Sequence, residues 1–235
     1  METSLLFKTF LILGVQLSLV FGACLLVIRR ARLVADQGEA CLGVTFTTET
    51  NERGELDLQP VEESQGLTWI TWFCIICMFS MVFTAPYGLT WGLVTMTLTS
   101  LSLGPLIGMI MLSMDENDGL RALQLTVLIT FGAALVGMYS GVDFSGMAPF
   151  LCIALLVLII FRLVMLFTGF ATGRRRLVAV AGAGLFVLFL LYDFNQLAQL
   201  NAAGVDDWET ALDLAISLYL DIINLLLEIL EALGD

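Results

Sequence analysis

Histidine is absent from this 235-residue chain. Haem and conventional zinc catalysis lose their usual imidazole ligand, so any metal has to be a hard cation on oxygen donors. A proton switch near neutral pH has to be built from other groups. Charge is scarce as well: 14% of residues are charged and 59% are hydrophobic. A soluble domain of this size could not cover so much apolar surface with so few charges. Ten basic residues stand against 22 acidic ones, a net charge of -12, which argues against nucleic acid as a partner. The single lysine is Lys8, so the last apolar segment has none for a retinal Schiff base. Of the five cysteines, Cys24, Cys74, Cys77 and Cys152 fall in apolar runs and only Cys41 in a polar stretch, which is not a disulfide framework. Cys74-x-x-Cys77 has no second pair and no polar surroundings, and reads as small apolar helix residues. No cofactor is expected.

Long apolar runs are what the chain does have. Leu5–Ile28, Leu67–Pro86, Leu89–Met114, Leu120–Gly141, Met147–Phe170 and Leu177–Leu200 each have about the length that crosses a hydrocarbon core. A seventh, Trp208–Leu233, is apolar but carries a line of polar residues. Continuous apolar runs are helices rather than barrel strands, because a lone segment in lipid must satisfy its own backbone. The expected fold is an all-α membrane protein, a single membrane domain over 1–235 with seven spans. The first run is longer than a signal core and is followed directly by Arg29-Arg30, so it reads as a retained span.

One connection is long. Residues 31–66 are polar and acidic, and apolar–polar alternation on both sides of a Gly-bearing turn at 51–54 suggests a small β-hairpin outside the membrane, against the plainer reading of a disordered acidic loop. The connections after spans one, three and five hold Arg29, Arg30, Arg32, Arg53, Arg121, Arg174, Arg175 and Arg176; the other side holds only Lys8. That asymmetry puts the 31–66 segment in the cytoplasm and the N-terminus outside. Gly104 and Gly108, and Ala179, Gly182, Ala183 and Gly184, read as packing seams where small residues let helices approach.

Against this background two carboxylates are out of place: Asp193 in the sixth run and Asp221 in the seventh. An intramembrane carboxylate is costly, faces the bundle interior, and marks an ion or proton path. Two within hydrogen-bond reach would share one proton and titrate as a pair. Losing that proton leaves two repelling charges, which favours separation or entry of a cation. On a helical wheel Asp213, Ser217, Asp221, Asn224, Glu228 and Glu231 lie within an arc of about 80°. Lacking lysine and arginine, this stripe is expected to face a hydrated interior path rather than lipid headgroups. Gln196 extends a narrow polar edge beside Asp193. By helical rise Asp193 lies roughly 10 Å from one end of its span and Asp221 roughly 15–20 Å from the start of its own, so they meet only if the helices tilt or the last begins late. Arg162, deep in the fifth run, can snorkel to the surface or neutralise Asp221.

At these residues the chain resembles the transmembrane Bax inhibitor motif (Bax inhibitor-1) family, in its bacterial-type members. The resemblance is carried by Leu191-Tyr192-Asp193-Phe194-Asn195-Gln196-Leu197 and by Ser217-Leu218-Tyr219-Leu220-Asp221-Ile222-Ile223-Asn224-Leu225. Ser102-Leu103-Gly104-Pro105-Leu106 and Gly141-Val142-Asp143-Phe144-Ser145-Gly146-Met147 support it. It implies a seven-helix fold with the last helix central, in a bacterial inner membrane. The implied activity is a pH-sensitive calcium leak with Asp193 and Asp221 as sensor and transient Ca²⁺ ligands. Asp213, Ser217, Asn224, Glu228, Gln196 and Arg162 are the candidate pore or sensor support. The chain departs from the family in its long 31–66 connection, and in having no basic residue early in the bundle, where Pro86-Tyr87-Gly88-Leu89-Thr90-Trp91 offers none.

Other classes compete. A regulator without transport would bind a protease or death factor through the acidic 31–66 segment. An intramembrane aspartyl protease also shares a proton between two carboxylates, but needs a Gly-x-Gly-Asp context that Leu218-Tyr219-Leu220-Asp221 lacks. No enzymatic activity is expected. The partners expected are Ca²⁺, protons and the bilayer, with a membrane protein as a further candidate.

Overall fold

The computed structural model describes residues 4–35, 41–42, 44–50, 56–63, 65–84, 88–114, 116–168 and 175–234. Seven helices occur among them: α1 (Leu5–Ala35), α2 (Gln65–Thr84), α3 (Leu89–Leu112), α4 (Glu116–Tyr139), α5 (Ala148–Thr168), α6 (Arg175–Ala202) and α7 (Trp208–Leu233). Two strands, β1 (Val44–Thr50) and β2 (Leu56–Glu63), lie between α1 and α2, and one turn of 3-10 helix (Ser145–Met147) precedes α5. The turn at 51–54 with its Arg53, Pro86-Tyr87 and Arg174 lie outside the described residues.

Six of the helices are long and apolar enough to cross a membrane: all but α2, whose describable apolar stretch is the shorter Thr68–Met81. The amphipathic α7, the expected odd member, is among the six. Side chains such as Leu26, Ile76, Phe79, Phe150, Ile153 and Phe167 are exposed, so their apolar surface needs hydrocarbon or a partner to cover it.

The chain divides into two compact units, residues 11–117 and residues 1–10 with 118–235. In the first, α2 packs on α3, and α3 meets α1 along the glycine seam. A Cβ on Gly104 would fall 2.5 Å from the Val20 carbonyl oxygen and 2.6 Å from the Ala23 Cβ. This is the close backbone approach that small residues permit. The buried Gln16 of α1 is satisfied there by two α3 hydroxyls: its Nε2 donates to Thr97 Oγ1 at 3.0 Å, and its Oε1 accepts from Ser100 Oγ at 2.9 Å. α1 runs beyond the expected Ile28 to Ala35, since Arg, Ala, Leu and Val are compatible with continuing a helix into a polar segment. β1 and β2 pair antiparallel, with a register shift between Thr45 and Phe46 that leaves Val61 without a partner. The shift sits beside Pro60, which has no N–H to give a ladder. Cys41 is buried against Ala31, Val44, Met109 and Leu112. Burial pushes its thiol up from the ordinary value, offset in part by Arg30.

In the second unit, α6 and α7 share the most extensive helix contact, and α5 packs on α6. The turn joining α6 and α7 is built from the chain's own stop and start signals. Gly204 takes φ +79° and the Val205 N–H returns to the Leu200 carbonyl at 3.1 Å, a Schellman-type ending that a residue with a Cβ adopts only under strain. Asp207 then caps α7, accepting from the Thr210 N–H at 2.7 Å and from its hydroxyl at 2.8 Å. Lys8 of α1 is buried at this turn and donates to the Asp206 carbonyl at 2.8 Å and its Oδ1 at 2.6 Å, with the Trp208 ring 5.3 Å away. The Thr210 N–H holds the Asp207 carboxyl below the usual carboxylate range. A lowered value means that this cap contributes above the unfolded value and is lost as pH falls through the folded one, so its contribution fades below about pH 4. Asp207→Ala is accordingly expected to lower thermal stability at neutral pH and to match wild type more closely in strong acid. Equal deficits at both would contradict the cap.

Candidate functional site

α6 and α7 each present one aspartate to the other. Asp193 and Asp221 retain only 6% and 8% exposure, and their side chains are hydrogen-bonded to each other. Such a bond between two carboxyl groups requires one proton between them. The depth difference inferred from the sequence remains, and the two side chains meet across it. α6 runs to Ala202, and α7 starts only at Trp208, so Asp193 and Asp221 lie about 14 and 20 Å from those ends, a difference of about one helical turn. Asp221 Oδ2 is buried without a hydrogen-bond partner. Around the pair, Phe194 and Tyr219 are fully buried, and Phe10 stacks on Phe194 with ring centroids 6.4 Å apart.

The polar stripe of α7 divides. Asp221 and Glu228 are buried, Asn224 and Glu231 are half-buried, and Asp213 and Ser217 are exposed. The apolar residues of α7, from Leu212 to Leu230, supply most of its buried surface. The lower part of the stripe opens instead on a cleft of about 450 Å³, lined among others by Arg162 of α5, Phe186 and Phe189 of α6, and Asp221, Asn224, Glu228 and Glu231. Asp213 and Ser217 do not line it.

Arg162 follows neither of its two expected courses. It pairs with Glu228 through Nη2 and with Glu231 through Nη1 at 2.8 Å. The two glutamates, three residues apart on one helix face, suit a planar guanidinium fork. Glu228 is closely seated: a Cβ on Gly182 would lie 2.5 Å from its Cδ and 2.6 Å from its Oε2. Gly182, read from sequence as helix-packing material, is the floor under that carboxylate.

Gln196 stands at another cleft. It is exposed and lines that cleft, of about 430 Å³, with Ser145, Tyr192, Asn195, Gln199 and others. Three residues along a helix is 300°, so the polar edge that Asp193 and Gln196 share is about 60° wide. Asp193 meets Asp221 of α7, and Gln196 lines the other cleft.

The neighbour that sequence reasoning missed is Asn195. Buried in α6, it donates Nδ2 to the Gly137 carbonyl at 3.0 Å and the Val142 carbonyl at 2.9 Å. Its Oδ1 accepts from the Phe144 N–H at 3.1 Å and from Gln199 Nε2 at 2.8 Å. Gln199 reaches on to Asp143 Oδ1 at 2.9 Å, which also accepts the Ser145 N–H at 2.9 Å. The α4–α5 turn is thereby fastened to α6 two residues from Asp193. An asparagine inside an apolar helix was the available signal.

Among the described residues no three acidic or thiol side chains converge on a metal site. Asp193 and Asp221 alone supply too few donors for a resident Ca²⁺, which takes six to eight oxygens.

Residues 2–235 match the family model described as "Inhibitor of apoptosis-promoting Bax1". A Helicobacter pylori protein (strain J99) is 29% identical over 138 residues, covering 59% of this chain and 57% of its own. The chain thus spans little more than half the length of that relative. Protein LIFEGUARD 1 of Arabidopsis thaliana is 27% identical over 174 residues, 68% of this chain and 72% of the relative. Human protein lifeguard 3 is 26% identical over 148 residues, covering 62% and 47%. With its apolar helices and a family match that runs nearly end to end, the chain is an integral membrane protein of the Bax inhibitor-1 family.

Proposed function

We propose that the chain is a pH-sensitive cation leak, passing Ca²⁺, with Asp193 and Asp221 as its proton-sharing sensor. The reading takes α2 as a seventh span and α7 as the central helix, with the N-terminus outside and residues 31–66 in the cytoplasm of a bacterial inner membrane. The observation that carries it is the hydrogen bond between two buried carboxyl groups on adjacent helices. A pair held by one proton is stable while the proton stays, and becomes two repelling charges when it leaves. Helix separation or cation entry relieves that repulsion, so proton loss favours the conducting state. Asp193 and Asp221 are transient Ca²⁺ contacts in this scheme, and Asn224, Glu228 and Arg162 line the adjoining cleft. The scheme needs no covalent chemistry. Ca²⁺ flux into liposomes of purified protein tests it: flux is expected to rise from mildly acidic to mildly alkaline pH. Flux no greater than in protein-free liposomes at every pH would end the reading.

A second reading has its own support. The matching family is described as an inhibitor of apoptosis-promoting Bax1, which suits a regulator acting by binding. Its instrument would be the acidic 31–66 segment. Crosslinking through that segment to a specific membrane protein, in a chain that passes no Ca²⁺, would favour it.

A further inference from the structure

The cleft between α5, α6 and α7 carries more negative charge than it neutralises. Three carboxylates line it, Asp221, Glu228 and Glu231, against one cation, Arg162. Arg162 is committed to the two glutamates, and Asp221 Oδ2, on a residue more than nine-tenths buried, has no partner. Unbalanced carboxylates away from water are costly unless a proton or a cation joins them. Apart from Asn224 the rest of the lining is leucine, isoleucine and phenylalanine, so no second protein cation is at hand to do so.

The geometry around the glutamates is already that of a cation seat. Glu228 lies on the bare backbone of Gly182, where a methyl group would displace it. Glu231 is one turn along the same face and Asn224 one turn back, adding an amide oxygen. Asp221 stands about 10 Å further along α7. We infer that Glu228 and Glu231 form a second binding station for a hard divalent cation, occupied at rest by the tethered guanidinium of Arg162. A passing ion has to displace Arg162, taking oxygens from the two glutamates, Asn224 and water, as Ca²⁺ does at open sites. Asp221 Oδ2 is the next anionic oxygen in line. The inference rests on the proposed leak for its use, though not for the binding itself.

Equilibrium dialysis with radioactive Ca²⁺ on purified protein, beside flux in liposomes, tests both separately. Removing a competing internal cation raises apparent affinity by the fraction of sites it blocked. Arg162→Gln is therefore expected to bind one Ca²⁺ on the order of tenfold tighter than wild type or more. Adding Glu228→Gln and Glu231→Gln is expected to abolish the gain, and adding Asp193→Asn to preserve it. Should Arg162→Gln fail to fold, Arg162→Lys serves, since a lysine cannot span both carboxylates as a guanidinium does, and a several-fold gain is expected. Folded variants binding no more tightly than wild type would overturn the station, even with pH-dependent flux intact. Tighter binding without flux in any variant would uphold the station and remove the leak.

Discussion

Asp221→Asn is expected to give Ca²⁺ flux that no longer varies with pH. The amide is nearly the same size as the carboxyl, can still hydrogen-bond Asp193, and is neutral at every pH, so one half of the repelling couple is gone. Two like charges about 4 Å apart at an effective dielectric of about 20 repel by about 4 kcal/mol. Released into a two-state gate, that shifts the closed–open ratio by about a thousandfold, enough to switch the leak with no further device. Asp193→Asn is expected to act in the same direction, and the double variant to be no flatter than either alone. The measurement is liposome flux across mildly acidic to mildly alkaline pH, with each variant checked for a wild-type thermal transition. A profile in both single variants that still follows wild type would mean that other groups sense the proton.

Asn195→Ala is expected to cost about 2–3 kcal/mol of fold stability. The side chain is buried and serves two carbonyls and two donors at once. Truncation leaves the Val142 carbonyl and the Phe144 N–H of the α4–α5 turn without these partners. Each buried polar group left unsatisfied costs about 1–3 kcal/mol, though the exposed part of the turn recovers some from water. Asn195→Asp separates hydrogen bonding from shape: it keeps the acceptor for Phe144 and Gln199, but aims a carboxylate at two carbonyl oxygens. It is expected to be at least as damaging at neutral pH and to recover partly on acidification. Thermal unfolding in detergent measures both. A wild-type transition in Asn195→Ala would mean that the turn does not depend on this clamp.

Much of this was legible before any coordinates. Helices follow from apolar runs too long and continuous to be anything else, and Asp193 and Asp221 stand out because carboxylates are rare at such depth. Their meeting was legible as a possibility only. The apolar runs placed the start of α7 at Trp208 and the end of α6 within two residues of Ala202, but whether each helix turns its carboxylate toward the other is decided by packing between them, which hydropathy does not carry. The partners of Arg162 were not legible. Glu228 and Glu231 are 66 and 69 residues away, and a wheel shows which residues share a face but not which helix faces them. The same holds for Gly182, whose lack of a side chain reads as helix packing until Glu228 is seen resting on it. Burial along the stripe of α7 was not legible from the wheel: Asp213 and Ser217 share its arc but lie exposed, a turn or more before Asp221.

The most direct measurement is the infrared carbonyl band of protonated carboxylic acids, recorded at neutral pH on wild type and on Asp193→Asn/Asp221→Asn. If Asp193 and Asp221 hold a hydrogen ion between them, wild type carries a carboxylic acid band, shifted by deuterium exchange, that the double variant lacks. Superimposable spectra would mean that neither aspartate is protonated, and the sensor would fall with that result.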